Sequence, residues 1–299
     1  MLALSFVLAG PVVVSRFNIV PEGIGLVICQ RFHVFTLLLL VIPVAIAFDH
    51  ILSWLAQRSP AGPSRARILP EVLAVAVFGA AAGVSLPSIL ATHSPAVEKG
   101  VVNLLRSLPE GAVLISISDD LYSGPYYAQQ VLGVRRDVVT ITGGMISFPW
   151  YRERIAARGI PIELDPAAAD PASVQVARTI FASGRPLFVE LRLGTILRGF
   201  QTYPHGMVLR VLPPGAAAPT LDEIVELNRS LYAAFDLAYP TPGPEAVYAA
   251  QMHYRYAKTW DVLSHALADA GRLDDARAAR ALAQAVSYTH LTLPTNREV

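Results

Sequence analysis

Two apolar runs limit this chain more than anything else in it. Val34 to Leu55 and Pro70 to Leu90 are each long enough to cross a bilayer, which takes about 20 residues of helix. Asp49 and His50 close the first run and should lie near one interface. The second is rich in Ala, Gly and Val, small residues that let helices pack closely in lipid. Met1 to Val14 is apolar but too short to span and lacks the basic start of a signal peptide, so it reads as the tail of a further transmembrane helix. Residues 1–92 are therefore expected to be a transmembrane region, with Ser15 to His33 as a connecting segment. Composition agrees: 53% of residues are hydrophobic and 16% charged, and the excess is concentrated in this first third.

Orientation follows from charge. Gln57 to Ile68 carries Arg58, Arg65 and Arg67 without an acid, which predicts a cytoplasmic loop. Everything after Leu90 should then lie outside the cytoplasm, in a periplasm if the membrane is a bacterial inner membrane. A net charge of +1 gives no basic field for nucleic acid. The single Cys29 excludes an intrachain disulfide and any multi-thiolate metal site, and its apolar context suits a buried thiol.

Residues 93–240 change material. His93 to Ser107 has the start signals of a helix. Ala112 to Ile117 follows a Pro-Glu-Gly turn as a short buried strand, Tyr126 to Val134 predicts a helix closed by Gly133, and Asp137 to Thr142 is a second strand. This β-α-β unit ends in an aromatic loop at Trp150 and Tyr151. Further on, Tyr151 to Arg158 and Pro171 to Ser183 predict helices, and Ile160 to Leu164, Leu187 to Leu191 and Met207 to Leu212 predict strands. Gly194 to Gly206 reads as turns, and Thr220 to Asp236 as an amphipathic helix. The expected fold is an α-helical membrane segment followed by a Rossmann-like α/β domain of three to five strands. Residues 241–285 should then form a helical hairpin that resembles half of a tetratricopeptide unit, which must pack on something to bury its face. Residues 286–299 (VSYTHLTLPTNREV) resemble the translation of a sequencing adapter and are left out of the fold.

Chemistry-bearing residues gather around the β-α-β unit. Asp119 and Asp120 follow the first strand, where open α/β sheets place ligands. Such a pair can hold a sugar hydroxyl or a metal, or act as acid and base; equally, Asp119 can cap the next turn while Asp120 is solvated. Tyr122, Tyr126, Tyr127, Trp150 and Tyr151 can stack on sugar rings or fill a core. Arg135, Arg136 and Asp137 suit surface pairing. Arg31, beside the first apolar run, suits a lipid-linked phosphate or an interfacial anchor. The histidines show no ligand spacing, and no P-loop, GxGxxG, GxSxG or HExxH is present.

In order, GPVVVSRFNIVP, GLVICQRFHVF, LPEGAVLISISDD, YYAQQVLGVRRDV, the WY loop and QTYPHGMVLRVLP resemble the membrane proteins of domain-of-unknown-function family 2723. The resemblance implies a GT-C-type glycosyltransferase of glycosyltransferase family 117, related to O-mannosyltransferases, that takes a sugar from a polyprenyl-phosphate donor. It implies no certain cofactor, and as partners the bilayer, a lipid-linked sugar and an acceptor protein or glycan. Its catalytic carboxylate is expected in a first outer loop upstream of Met1, so this chain would be a C-terminal fragment. The motif positions carried over are Arg31 with Phe32, Asp119, Gln129, Arg136, Asp137, Trp150 and Tyr151. Where the family usually has Gly-Asp, this chain has Ser118-Asp119. A non-catalytic, membrane-anchored binding or assembly protein is the other reading these features allow.

Overall fold

The computed structural model describes residues 24–58, 63–194, 197, 199–240 and 246–286, together with Val12. The chain divides into two compact units at His93/Ser94.

The first unit holds α1 (Ile24–Arg58) and α2 (Pro63–Thr92). Both are long and apolar enough to cross a membrane, and their most apolar windows, Leu37–Trp54 and Val72–Leu90, bury nothing inside the protein. Helix α1 starts at Ile24, so the second half of the expected connecting segment, including Arg31, is helical. Likewise α2 takes in Arg65 and Arg67 of the expected loop. The side chains of Cys29 and Arg31, the expected helix over residues 1–14 and the tail 287–299 lie outside the described residues.

The second unit opens with α3 (Ala96–Ser107), β1 (Val113–Ser116), α4 (Asp119–Gln130), β2 (Val139–Thr142), α5 (Pro149–Ala156), α6 (Ala172–Ala182) and β3 (Leu187–Glu190). The hairpin β4 (Thr202–His205) and β5 (Val208–Val211) follows, then α7 (Leu221–Ala233), α8 (Val247–Asp269) and α9 (Leu273–Val286). The strands form one mixed sheet in the order β2-β1-β3-β5-β4. The first three run parallel, and β5 and β4 are antiparallel to their neighbours.

Strand alternation sorts the core into two layers. Val113, Ile115, Val139, Ile141, Leu187 and Val189 face one way and pack with Tyr151, Ile155, Val176 and Ile180 of α5 and α6. Leu114 and Phe188 face the other way and pack with Leu104, Leu121, Met252 and Tyr256 of α3, α4 and α8. All four residues of β1 and of β3 are buried, as strands covered on both faces should be. Behind the second layer, α8 and α9 close on α7 through Trp260, Leu263, Leu267, Ala276, Ala279 and Ala283.

Three departures from the sequence expectation have physical causes. Helix α4 begins at Asp119 instead of Tyr126, so the acidic pair stands on its first turn and not in a loop. Pro125 sits inside it and cannot donate to the Leu121 carbonyl, yet the Ser116 hydroxyl on β1 donates to that carbonyl at 3.0 Å. Gly124 precedes it because a Cβ there would lie 2.5 Å from Val101 Cγ2 on α3. Second, β4 occupies part of the expected turn region; Pro204 is tolerated because β4 is an edge strand. Its two-residue turn places Gly206 at φ +62°, and the Gly206 N–H donates to Asn228 Oδ1 of α7. Third, Ile160 to Leu164 forms no strand, although Ile160 and Ile162 point into the core. Pro161 between them has no N–H to give a ladder.

Candidate functional site

Parallel strands end together, and open α/β sheets bind ligands in the crevice beyond their carboxyl ends. Here the chain leaves β1 into α4 on one face and returns through α5 and α6 on the other, so the crevice lies where β1 and β3 end. Its two halves differ in chemistry.

The polar half is filled by the protein itself. After β1, the N–H groups of Ile117 and Ser118 form a small anion-binding turn, but Glu190 at the end of β3 occupies it. Its Oε2 accepts from Ile117 N at 3.0 Å, Ser118 N at 3.2 Å and Ser118 Oγ at 2.9 Å. Arg255, from α8, closes over the carboxylates. Its Nε and Nη2 donate to the two oxygens of Asp120 at 3.0 and 2.9 Å, and Nη1 donates to Glu190 Oε1 at 2.9 Å. Nη2 also donates to Ser118 Oγ at 2.8 Å.

These side chains are buried, with Glu190 at 0% exposure. Burial pushes the Glu190 carboxyl up, but the Arg255 charge and the donated hydrogen bonds outweigh it and hold the group below its ordinary value. Burial likewise works to lower Arg255, and its two carboxylates reverse that. With each carboxylate oxygen of Asp120 and Glu190 accepting a hydrogen bond, this cluster is a clamp joining the C-terminal hairpin to the sheet. It also blocks the place where a nucleotide phosphate would sit.

The apolar half is open. A cavity of about 250 Å³ lies on the α5–α6 side of the same edge. Ile115 and Ile117 of β1 and its exit, Val189 and Leu193 of β3 and its exit, Ile146, and Val176 of α6 form its main walls. Gly143, after β2, completes the wall closely: a Cβ there would meet Ile117 Cγ2 at 3.0 Å. Ser173 brings the one polar side chain among the lining residues. At the end of β2, Thr142 Oγ1 is buried without a hydrogen-bond partner among the described residues, a position that a water or ligand hydroxyl would satisfy.

The residues singled out in the sequence fall into three groups. Asp119 is exposed on the first turn of α4, while Asp120 beside it is buried against Arg255. Trp150 is exposed and stacked near Phe148, with centroids 6.3 Å apart. Tyr151 is buried instead, and its hydroxyl accepts the Thr142 N–H at 2.8 Å. Tyr127 is exposed and donates to Glu98 on α3 at 3.2 Å, whose carboxylate pushes the phenol up.

Gln129, Arg136 and Asp137 belong to the opposite, amino edge of the sheet. Gln129 Nε2 donates to the carbonyls of Arg135 and Val138, and Arg136 Nε donates to the Gln129 carbonyl. Asp137 pairs with Arg135 and accepts the Gly111 N–H; the Arg135 hydrogen bond holds its carboxyl well below the usual range. These three residues shape the turn between α4 and β2 and do not line the cavity described above. The sequence reading missed Glu190 and Arg255. Glu190 carried a signal, an acid ending the apolar strand LFVE, but Arg255 looked like any cation on a helix.

Comparison with protein-family models, with curated proteins and with solved structures finds no match to this chain.

Proposed function

We propose that this chain is the C-terminal part of a multi-spanning GT-C-type glycosyltransferase that moves a sugar from a polyprenyl-phosphate donor to an extracytoplasmic acceptor. In this reading its Rossmann-like α/β domain faces the periplasm of a bacterial inner membrane. One observation carries it: two helices apolar enough to cross a membrane precede an α/β domain in the same chain. The segments behind the family 2723 resemblance supply β1, α4, β2 and α5 of that domain in unbroken order.

The domain's part follows from its carboxylates. Asp120, Glu190 and Asp137 are each held by an arginine, so none of them is a free base. The domain therefore recognises the acceptor, with the exposed Trp150 face for a sugar ring and Asp119 for a hydroxyl. Arg31 takes the donor phosphate. In the transfer, the acceptor oxygen bonds to the anomeric carbon as the bond to the polyprenyl phosphate breaks. A carboxylate elsewhere in the intact protein accepts the hydroxyl proton.

The test is transfer from a labelled polyprenyl-phosphate sugar by membranes carrying the full-length gene. Absence of transfer overturns the reading, and undiminished transfer by Arg31→Ala overturns the role of that residue. The second reading, a membrane-anchored assembly protein without catalysis, is favoured by the same engaged carboxylates. It expects no transfer with any donor.

A further inference from the structure

The residues given to sugar transfer above, Arg31, Asp119 and Trp150, do not line the cavity at the apolar half of the crevice. We infer that it is a binding site for the hydrocarbon chain of a single-chain anionic amphiphile, with the head group left at the mouth beside the first turn of α6.

Size and lining carry this. A water in the liquid takes about 30 Å³, and a chain methylene roughly the same, so the cavity matches about eight chain carbons. Ordered water needs two to four polar partners, roughly, and the lining side chains offer only Ser173. Protein interiors close-pack wherever they can. Ala172 stands where a larger side chain would fill the space, and it is exposed, at the rim.

The head group follows from charge. The anion-binding N–H groups after β1 are taken by Glu190, so a negative head cannot enter the polar half. On the apolar side it meets the positive end of α6 at Ala172 and Ser173. The Arg152 guanidinium donates to the carbonyls of Ile146, a lining residue, and Ser147. Asp170, the acid closest in sequence to that helix start, is already paired with Arg178. Two helices of membrane-spanning character in the same chain bring such amphiphiles to hand. Acyl and prenyl chains share the needed chemistry.

The experiment uses the full chain in lipid nanodiscs with two photoreactive probes, a diazirine decanoate and a diazirine geranyl phosphate, followed by peptide mapping. Labelling of the segments around Ile115–Ile117, Ile146 and Ala172–Val176, competed by unlabelled decanoate or geranyl phosphate, is expected. The probe that labels identifies the chain type. Ala172→Trp, which plugs the rim, should lower that labelling about tenfold, the scale of a few lost methylene contacts. Ala168→Trp, exposed but outside the lining, should leave it unchanged. Labelling confined to α1 and α2, or labelling that resists competition, overturns the inference. So does undiminished labelling of a folded Ala172→Trp protein. If that variant fails to fold, the wild-type map still decides. Failure of sugar transfer would leave the inference standing.

Discussion

Arginines secure both ends of the parallel strands, and they do so in opposite ways. At the amino edge, Arg135 takes a left-handed backbone, φ 46°, and spreads its guanidinium over the carbonyls of Leu105, Leu108 and Pro109 and over Asp137. The pair stays about a quarter to a third exposed. At the carboxyl edge, Arg255 reaches from a helix to Asp120, 135 residues earlier, and Glu190, 65 residues earlier, and is buried with both carboxylates. The first contact trims a turn within one supersecondary unit. The second decides whether the C-terminal helices belong to the sheet. Water shares the cost of the first; only protein groups offset the desolvation of the second.

That contrast breaks most sharply at Arg255. Arg255→Met should cost about 3–5 kcal/mol, because it strands Asp120 and Glu190 as buried, unpaired acids, and should lower the melting temperature by about 10 °C. Replacing such a cluster with apolar residues is often neutral elsewhere. Here the combined change Arg255→Met, Asp120→Leu, Glu190→Met should stay destabilised, since Ile117 and Ser118 would lose the acceptor for their N–H groups. A thermal melt as stable as wild type would mean that those amides find water.

Acid should attack the same clamp next. Glu190 is held below its ordinary value, so its contribution is complete above that value and disappears as pH falls through the folded one. Melting temperature should therefore drop below about pH 4, where unfolded carboxyls begin to protonate. Glu190→Gln, less stable at neutral pH, should show a flatter acid limb. Asp137 is also lowered, but it is partly solvated, so Asp137→Asn should cost about 1 kcal/mol at neutral pH. A larger loss at Asp137 than at Arg255 would reverse the ranking of the two edges.

What the sequence revealed follows the same division. Short-range patterning located β1, β2, β3, β5 and most helices, because each buries a continuous run, an alternating set or a helical set of apolar residues. The amino-edge group of Arg135, Arg136 and Asp137 lies within one motif and is visible as charged residues at a strand start. It failed where a distant residue repaired a local defect. Helix α4 is expected only from Tyr126, past Gly124-Pro125, because the rescuing Ser116 hydroxyl comes from β1 and the tight neighbour from α3. Pro204 looked like a turn because edge position is a property of the finished sheet. Arg255 and Glu190 meet only once the hairpin docks, and the cavity is a void among residues that each read as core.

The smallest effect tests the division between adjacent residues. Trp150 and Tyr151 look like one aromatic pair in sequence, yet Trp150 is 52% exposed while Tyr151 is 4% exposed. Trp150 touches Tyr151 edge-on, lies stacked near Phe148, and leaves about half of itself to solvent. Trp150→Ala should therefore change stability by no more than about 0.5 kcal/mol, as for surface sites away from buried networks. If the edge binds an acceptor sugar, the same variant should raise KM for the acceptor in the full-length enzyme while kcat holds, since a stacking face adds uniform binding. A Trp150→Ala protein that loses as much stability as Asp137→Asn would show the ring to be core. The exposed edge beyond β2 would then lose its claim to recognition.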